Sequence, residues 1–271
     1  MAYGIPLIWL GYAGIGAVSG LLAGIFGIGG GIVVIPALLF VFSLQGVAPE
    51  VAMHLAVGTS LASIVVSGTV SALAHHRNGN VLTTHLLQLL PGLACGAVAG
   101  VFVASSLSGG TLRAAFGAFQ ILLALHNLTG WPRLASGRQP TAAANVVAGG
   151  VIGGTSALFG IGCGTLTVPW LRRCGEPIKK AIGTASACGV PSALVGSLSF
   201  IVAGWGHPQL PAGATGFVMW PALGGIILAS VPLSKLGAQL THAAPARTLN
   251  VLFSLLILFV GANMLLREVL R

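Results

Sequence analysis

The chain reads as an all-α polytopic membrane protein built from two related halves of about five membrane elements each. Three observations predict this. Of 271 residues, 55% are hydrophobic and only 6% charged, with a mean hydropathy of +0.98. A soluble domain carries about 25% charged residues, so too little polar material is present to cover a globule in water. A glycine-rich stretch then occurs twice: Phe26-Gly27-Ile28-Gly29-Gly30-Gly31 with Pro36, and Phe159-Gly160-Ile161-Gly162-Cys163-Gly164 with Pro169. A further landmark follows each copy, Ala56-Val57-Gly58-Thr59-Ser60 in the first half and Ala181-Ile182-Gly183-Thr184-Ala185 in the second. Two landmarks in one order mark an internal repeat rather than a chance glycine match.

About 20 apolar residues cross a bilayer. On that scale the first repeat, residues 1–130, holds segments at 6–26, 32–44, 52–74, 82–105 and 112–128. The second repeat, residues 142–271, holds segments at 142–159, 165–172, 180–203, 215–236 and 247–266. Residues 131–141 are the linker, where Trp131-Pro132-Arg133 and Gly137-Arg138-Gln139-Pro140 combine helix breakers with charge. The N-terminus has no basic leader region, so it reads as the start of the first span. Cys95, Cys163, Cys174 and Cys188 lack metal-type spacing and read as small apolar packers.

The glycine stretches are the candidate site. Glycine and proline both interrupt a helix. In hydrocarbon an interrupted helix leaves backbone groups without partners, which is tolerated only inside protein or beside a polar cavity. Two such breaks at corresponding places point to a transporter's binding site, expected where the two hairpins meet near the midplane. A helix opening at a glycine break presents N–H groups at its positive end and binds anions without a charged side chain. Gly27, Gly29, Gly30 and Gly31, with Gly160, Gly162, Cys163 and Gly164, are therefore the expected substrate contacts. Thr59, Ser60, Thr184 and Ser186 are their polar partners, with hydroxyls able to donate to an oxyanion. The competing reading is packing: small residues let membrane helices approach, and Ser or Thr hydroxyls bond back to carbonyls. Cys163, in place of a glycine, reads as a small spacer or as a soft group facing a sulfur substrate.

Charge sets the orientation. Cytoplasmic loops collect Lys and Arg. The loop after the short segment carries Arg172, Arg173, Lys179 and Lys180 in the second half and no base in the first. One loop on, Arg77 in the first half faces an uncharged stretch in the second. Corresponding loops trade charge, as expected if the halves insert upside down relative to each other. One side then gathers Arg77, Arg133, Arg138, Arg172, Arg173, Lys179, Lys180, Lys235 and Arg247, and the other Arg113, Arg267 and Arg271. Both termini are expected outside the cytoplasm. Ten crossings, or eight with re-entrant hairpins, both fit this count.

Ionisable groups within spans are nearly absent. Glu50 and Glu176 sit just ahead of corresponding helices, where a carboxylate complements the helix dipole. His54, His85 and His126 lie near span ends, and any of them is able to carry a coupling proton. His75-His76-Arg77-Asn78-Gly79-Asn80 reads as a polar loop anchoring the topology. The scattered bases do not form a nucleic-acid patch, and no motif calls for catalysis, a metal or another cofactor.

With these paired glycine motifs, Gly58-Thr59-Ser60 and Arg77-x-Gly79-Asn80, the whole chain resembles the TauE/SafE family of sulfite-exporter-like permeases. The resemblance implies a multi-pass inner-membrane carrier for small sulfur-containing anions: sulfite, thiosulfate or short organosulfonates. Its glycine motifs map onto Gly27, Gly29, Gly30, Gly31, Gly160, Gly162 and Gly164, and Cys163 departs from the pattern. Such a carrier would work by alternating access. An anion channel, or a carrier of another small organic anion, uses the same donors and remains the alternative.

Overall fold

The structure is a computed structural model that describes residues 4–26, 30–129, 140–240 and 246–269. It is all-α. Five helices precede the linker: α1 (Gly4–Phe26), α2 (Gly31–Leu44), α3 (Pro49–Arg77), α4 (Thr83–Ser106) and α5 (Gly109–Thr129). Five follow it: α6 (Ala142–Phe159), α7 (Gly164–Arg173), α8 (Ile178–Ala203), α9 (Trp220–Leu240) and α10 (Ala246–Val269). A two-residue antiparallel pair, β1 (Ala214–Thr215) and β2 (Val218–Met219), folds the connection before α9. Among the described residues, α3, α4, α6 and α8 are each long and apolar enough to cross a bilayer by themselves. Large apolar side chains stand exposed on the outer surface, Phe102 at 74% and Leu228 at 75%. Water would penalise such a surface, and lipid does not.

The helices pair across the linker rather than within a half. α4 lies along α6, and α1 along α9. Glycines set both contacts. A methyl group added to Gly92, Gly96 or Gly100 would strike the carbonyl oxygens of Val146, Gly150 and Gly154 in turn. Equal steps along both helices mean that α4 and α6 run parallel. Gly16 and Gly20 press on Ile226 and Ser230 in the same manner, so α1 and α9 are also parallel. Between lipid-embedded helices the hydrophobic effect gives no net attraction, and close van der Waals contact at small residues replaces it.

The central pair runs the other way. Gly58 faces Phe200, Leu61 faces Gly196, Gly68 faces Val190, and the Ser71 hydroxyl donates to that of Ser186 at 3.3 Å. Advance along α3 is retreat along α8. α5 and α10 are antiparallel likewise, with Gly117 against Gly261 and Gly110 against Glu268. The helices that flank each glycine break fold back on one another. Tyr12 in α1 and Gln45 after α2 exchange hydrogen bonds of 3.0 and 2.7 Å. The Trp170 indole in α7 donates to Asn145 in α6 at 3.0 Å.

Pro36 and Pro169 lie inside α2 and α7, as the segments 32–44 and 165–172 predict. Two local expectations need correction. His75, His76 and Arg77 form the last turn of α3, and only Asn78 to Asn80 turn the chain, with Gly79 at φ +67°. Glu50 lies inside the first turn of α3 rather than ahead of it, and the Glu176 carboxylate turns to His85 instead of capping α8.

The glycine contacts make a contrast that can be measured. Gly96→Ala drives a methyl group into the Gly150 backbone, whereas Gly14→Ala meets nothing within 4 Å. Overpacking of this kind costs about 1–3 kcal/mol. The expected outcome is a clear loss of thermal stability in detergent for Gly96→Ala and an unchanged or slightly raised midpoint for Gly14→Ala.

Candidate functional site

The second break is fully described. α6 ends at Gly160, which adopts φ +60° and ψ 28° as the helix C-cap, a left-handed conformation open to glycine. The Ser156 hydroxyl bonds the Ile161 carbonyl, and the Ile161 N–H returns to the Ser156 carbonyl at 3.1 Å. α7 then opens at Gly164, with Leu166 and Thr167 N–H groups bonded to the Cys163 carbonyl. Of the first break, Gly27 and Gly29 lie outside the described residues. Gly30 caps α2 in the same way, receiving the N–H groups of Val33 and Val34 at 3.1 and 3.0 Å. In both cases the first N–H groups of the following helix precede its first intrahelical bonds.

The two breaks touch. A methyl group on Gly31 would lie 2.5 Å from the Gly160 carbonyl oxygen and 3.1 Å from Ile161 Cα. A methyl group on Gly160 would meet Ile35 and Val57. Ser60 in α3 closes the junction, donating its hydroxyl to the Gly160 carbonyl at 2.8 Å. Gly31, Ser60 and Gly160 are thus brought together. Gly30 packs instead on Ser19 of α1. Gly162 accepts from the Thr165 hydroxyl at 3.3 Å. Cys163 is buried beside Ser156, Cys188 and Leu89, in a small apolar setting.

Thr59 and Thr184 have another arrangement. The Met219 N–H donates to the Thr59 hydroxyl oxygen at 3.0 Å, and the Leu82 N–H to that of Thr184 at 2.9 Å. Each preceding glycine touches the same connection: Gly58 lies against the Phe217 carbonyl and Gly183 against that of Asn80. In each half, then, Gly-Thr clamps the residue before the fourth helix of the other half. The clamps sit at opposite ends of the α3–α8 pair. Ser186 accepts from Ser71 and bonds back to the Ile182 carbonyl at 3.1 Å, and so faces α3 rather than the breaks.

One residue at the first break had no place in the sequence reading. Pro36 has no N–H, so the Ile32 carbonyl, four residues earlier, lacks its usual helical partner. Gln120 of α5 supplies it from Nε2 at 3.0 Å, fully buried, while its Oε1 has no partner among the described residues. The available signal was a lone amide in mid-span, and such residues are seldom idle in hydrocarbon.

A cavity opens toward each end. One, of about 410 Å³, lies between His54, Ser108, Arg113, His207, Phe217 and Glu268. The other, of about 490 Å³, lies between Leu82, Thr83, His85, Gln88, Pro140 and Glu176. Each is floored by the connection that one Gly-Thr clamp holds. His54 bridges the Glu50 and Ala104 carbonyls at the first, and Arg113 pairs with Glu268 at 3.7 Å.

Residues 12–264, nearly the whole chain, match the family described as Sulfite exporter TauE/SafE. The chain belongs to that family. It is 36% identical to a probable membrane transporter protein of Haemophilus influenzae, over 93% of this chain and 96% of that one. Probable membrane transporter proteins of Methanocaldococcus jannaschii and Bacillus subtilis (YunE) are 26% and 24% identical, each over 93% of this chain and at least 93% of the relative. No solved structure matches it. This TauE/SafE chain is therefore a multi-pass membrane transporter, as family and relatives alike are membrane transporters.

The clamps differ in wetness, and that fixes the order of their energies. Met219 is buried, whereas Leu82 lines a cavity. A buried N–H left unpaired costs about 1–3 kcal/mol, and one that water reaches costs less. Thr59→Val is expected to lower the detergent unfolding midpoint more than Thr184→Val, measured side by side on purified protein.

Proposed function

We propose that this TauE/SafE protein is a secondary transporter of small sulfur-containing anions, sulfite, thiosulfate or short organosulfonates, working by alternating access in the inner membrane. The contact of the two breaks at Gly31, Ser60 and Gly160 carries the reading. The opening of α2 meets the capped end of α6 there, with α7 opening four residues on at Gly164, and the Ser60 hydroxyl sits between them; helix openings of this kind suit oxyanion oxygens without a fixed positive charge. The family's description supports the sulfur cargo. Gly27, Gly29, Gly30, Gly162, Cys163 and Gly164 belong to the same substrate site, with Thr59, Thr184 and Ser186 holding the helices that frame it.

The antiparallel course of α3 and α8, and of α5 and α10, supports two inverted repeats, residues 1–130 and 142–271 about the linker 131–141. In such a pair one half rocks against the other around a fixed midplane site. The two clamps, one at each end, are then the contacts that open in turn. Residues Arg77, Arg172, Arg173, Lys179 and Lys180 gather at the end that holds the His85 cavity, which makes that end cytoplasmic. The start of α1 and the end of α10 lie on the opposite side. Reporter fusions at each terminus are expected to show an extracytoplasmic location, and a cytoplasmic N-terminus would overturn this orientation.

Counterflow tests the transport reading. Proteoliposomes loaded with unlabelled sulfite are expected to concentrate labelled sulfite transiently, with thiosulfate and sulfoacetate competing and chloride not. A channel equilibrates label without concentrating it. Gly31→Ala, whose methyl group meets the Gly160 carbonyl at 2.5 Å, is expected to cut exchange at least about tenfold while the protein still reaches the membrane. Exchange at the unmutated rate would remove the break contact from the substrate site.

A further inference from the structure

The cavity at the basic end has a buried polar network that the breaks do not explain. His85 is 7% exposed and Asn145 fully buried. The network joins α4, α6, α7 and the turn before α8. Its hydrogen bonds have only one consistent polarity. The Trp170 indole N–H can only donate, and it meets Asn145 Oδ1 at 3.0 Å. The other end of that amide is therefore NH₂. It donates to Gln88 Oε1 at 2.6 Å and faces His85 Nδ1 at 3.3 Å. Nδ1 must then accept, which places the imidazole hydrogen on Nε2, 3.3 Å from Glu176 Oε1. In this arrangement Nδ1 accepts and Nε2 carries the hydrogen.

A second proton would go to Nδ1, where it would confront the Asn145 NH₂. Turning the amide over relieves that clash but sets NH₂ against the Trp170 N–H. A proton on Nδ1 thus sets the His85–Asn145 contact against the Asn145–Trp170 bond. Trp170 stands six residues after Gly164 on α7, about 9 Å along the helix from the second break. The neighbouring Pro169 removes one backbone bond from α7 at that level.

We propose that His85 is the proton-binding site of a proton-coupled transport cycle, and that Asn145 and Trp170 transmit its protonation to α7 and so to the second glycine break. The proton arrives through the cavity at the basic end, which His85, Gln88 and Glu176 line. Glu176 stabilises the imidazolium across 3.3 Å. Arg172 holds the backbone of Glu176, donating to its carbonyl at 3.0 Å. The other titratable groups here are Arg173 and Cys174 at the end of α7, and Lys179 and Lys180 in the first turn of α8. Burial, and then the Glu176 carboxylate, push the Cys174 thiol up. α4 and α6 bring no titratable side chain to the network besides His85. Asn145 and Trp170 are positioning residues, acting through His85.

This rests on the carrier reading, and the experiment separates the two. Wild type, His85→Gln and Trp170→Phe are reconstituted as full chains and tested with labelled thiosulfate, a dianion through the neutral range. Counterflow is measured at equal pH, and accumulation under a gradient of one pH unit with the membrane potential clamped. One coupled proton sustains about tenfold accumulation per unit. Wild type is expected to do both. His85→Gln, a neutral mimic, and Trp170→Phe, which frees the amide to turn, are expected to keep counterflow and lose accumulation. Accumulation by His85→Gln equal to wild type overturns the proposal, as does a wild type that exchanges at equal pH but does not accumulate thiosulfate under the gradient. A cargo-free measurement runs beside it: tryptophan emission of the purified protein titrated between about pH 5 and 8. The wild-type signal minus that of Trp170→Phe is expected to change across this range, and the change is expected to be absent in His85→Gln. If thiosulfate shows no counterflow, the cargo is wrong and the emission titration decides: a flat wild-type difference, or one that His85→Gln leaves unaltered, refutes the proton site.

Discussion

The constraint on which this structure depends is that hydrocarbon offers no partner to a backbone N–H or C=O. Each unmade bond there costs several kcal/mol. A chain with two interrupted helices must meet that demand internally, and it does so largely with groups from elsewhere in the sequence. Ser60 donates to the Gly160 carbonyl, 100 residues away. Gln120 takes the carbonyl that Pro36 leaves free. Thr59 and Thr184 receive N–H groups of the opposite half at separations of 160 and 102 residues. The breaks exist because the two halves complete each other. A half alone would carry its broken backbone unsatisfied.

The same demand explains the glycine content. There are 41 glycines in the chain, and most of those at helix contacts are not at the breaks. They line the α4–α6 and α1–α9 seams, where a carbonyl of one helix sits over the Cα of the other. Close approach of this kind gains dispersion energy at every step, the main attraction left between helices in lipid. The antiparallel α3–α8 pair carries the hydroxyls and the clamps.

Much of this was legible in the sequence, and the limits are physical. Helix positions followed from apolar runs, because a span is fixed by bilayer thickness. The hairpin breaks followed from Phe26-Gly27-Ile28-Gly29 and its copy, because glycine is costly in a helix interior. The pairing of helices across the linker was invisible, since any glycine in a span is equally a packing site. Thr59 and Thr184 were expected beside the breaks, but a threonine's sequence does not say whether its oxygen meets a ligand or a backbone N–H, and here both meet a backbone N–H. The cost of Pro36 inside its segment could not be read, because it depends on whether a distant side chain, here that of Gln120, takes up the freed carbonyl. The role of Asn145 could not be read at all, because its bonding polarity is fixed by Trp170 on another helix.

The departures from exact repetition bear on how the two ends differ. Ser60 corresponds to Ala185, so only one break carbonyl receives a hydroxyl from the central pair at that position. Cys163 stands where the first motif has Gly30, and it fills space beside Cys188 and Leu89 that a glycine would leave open. The clamp at Met219 is dry and the clamp at Leu82 borders a cavity. Perfectly equivalent halves would make the two end-open states equal in energy. A hydrogen bond broken in a dry site loses its full value, and one broken beside water is largely replaced by solvent. The Leu82 clamp is therefore the less costly of the two hydrogen bonds to break. The asymmetry written into a few positions makes the two ends of the molecule chemically different.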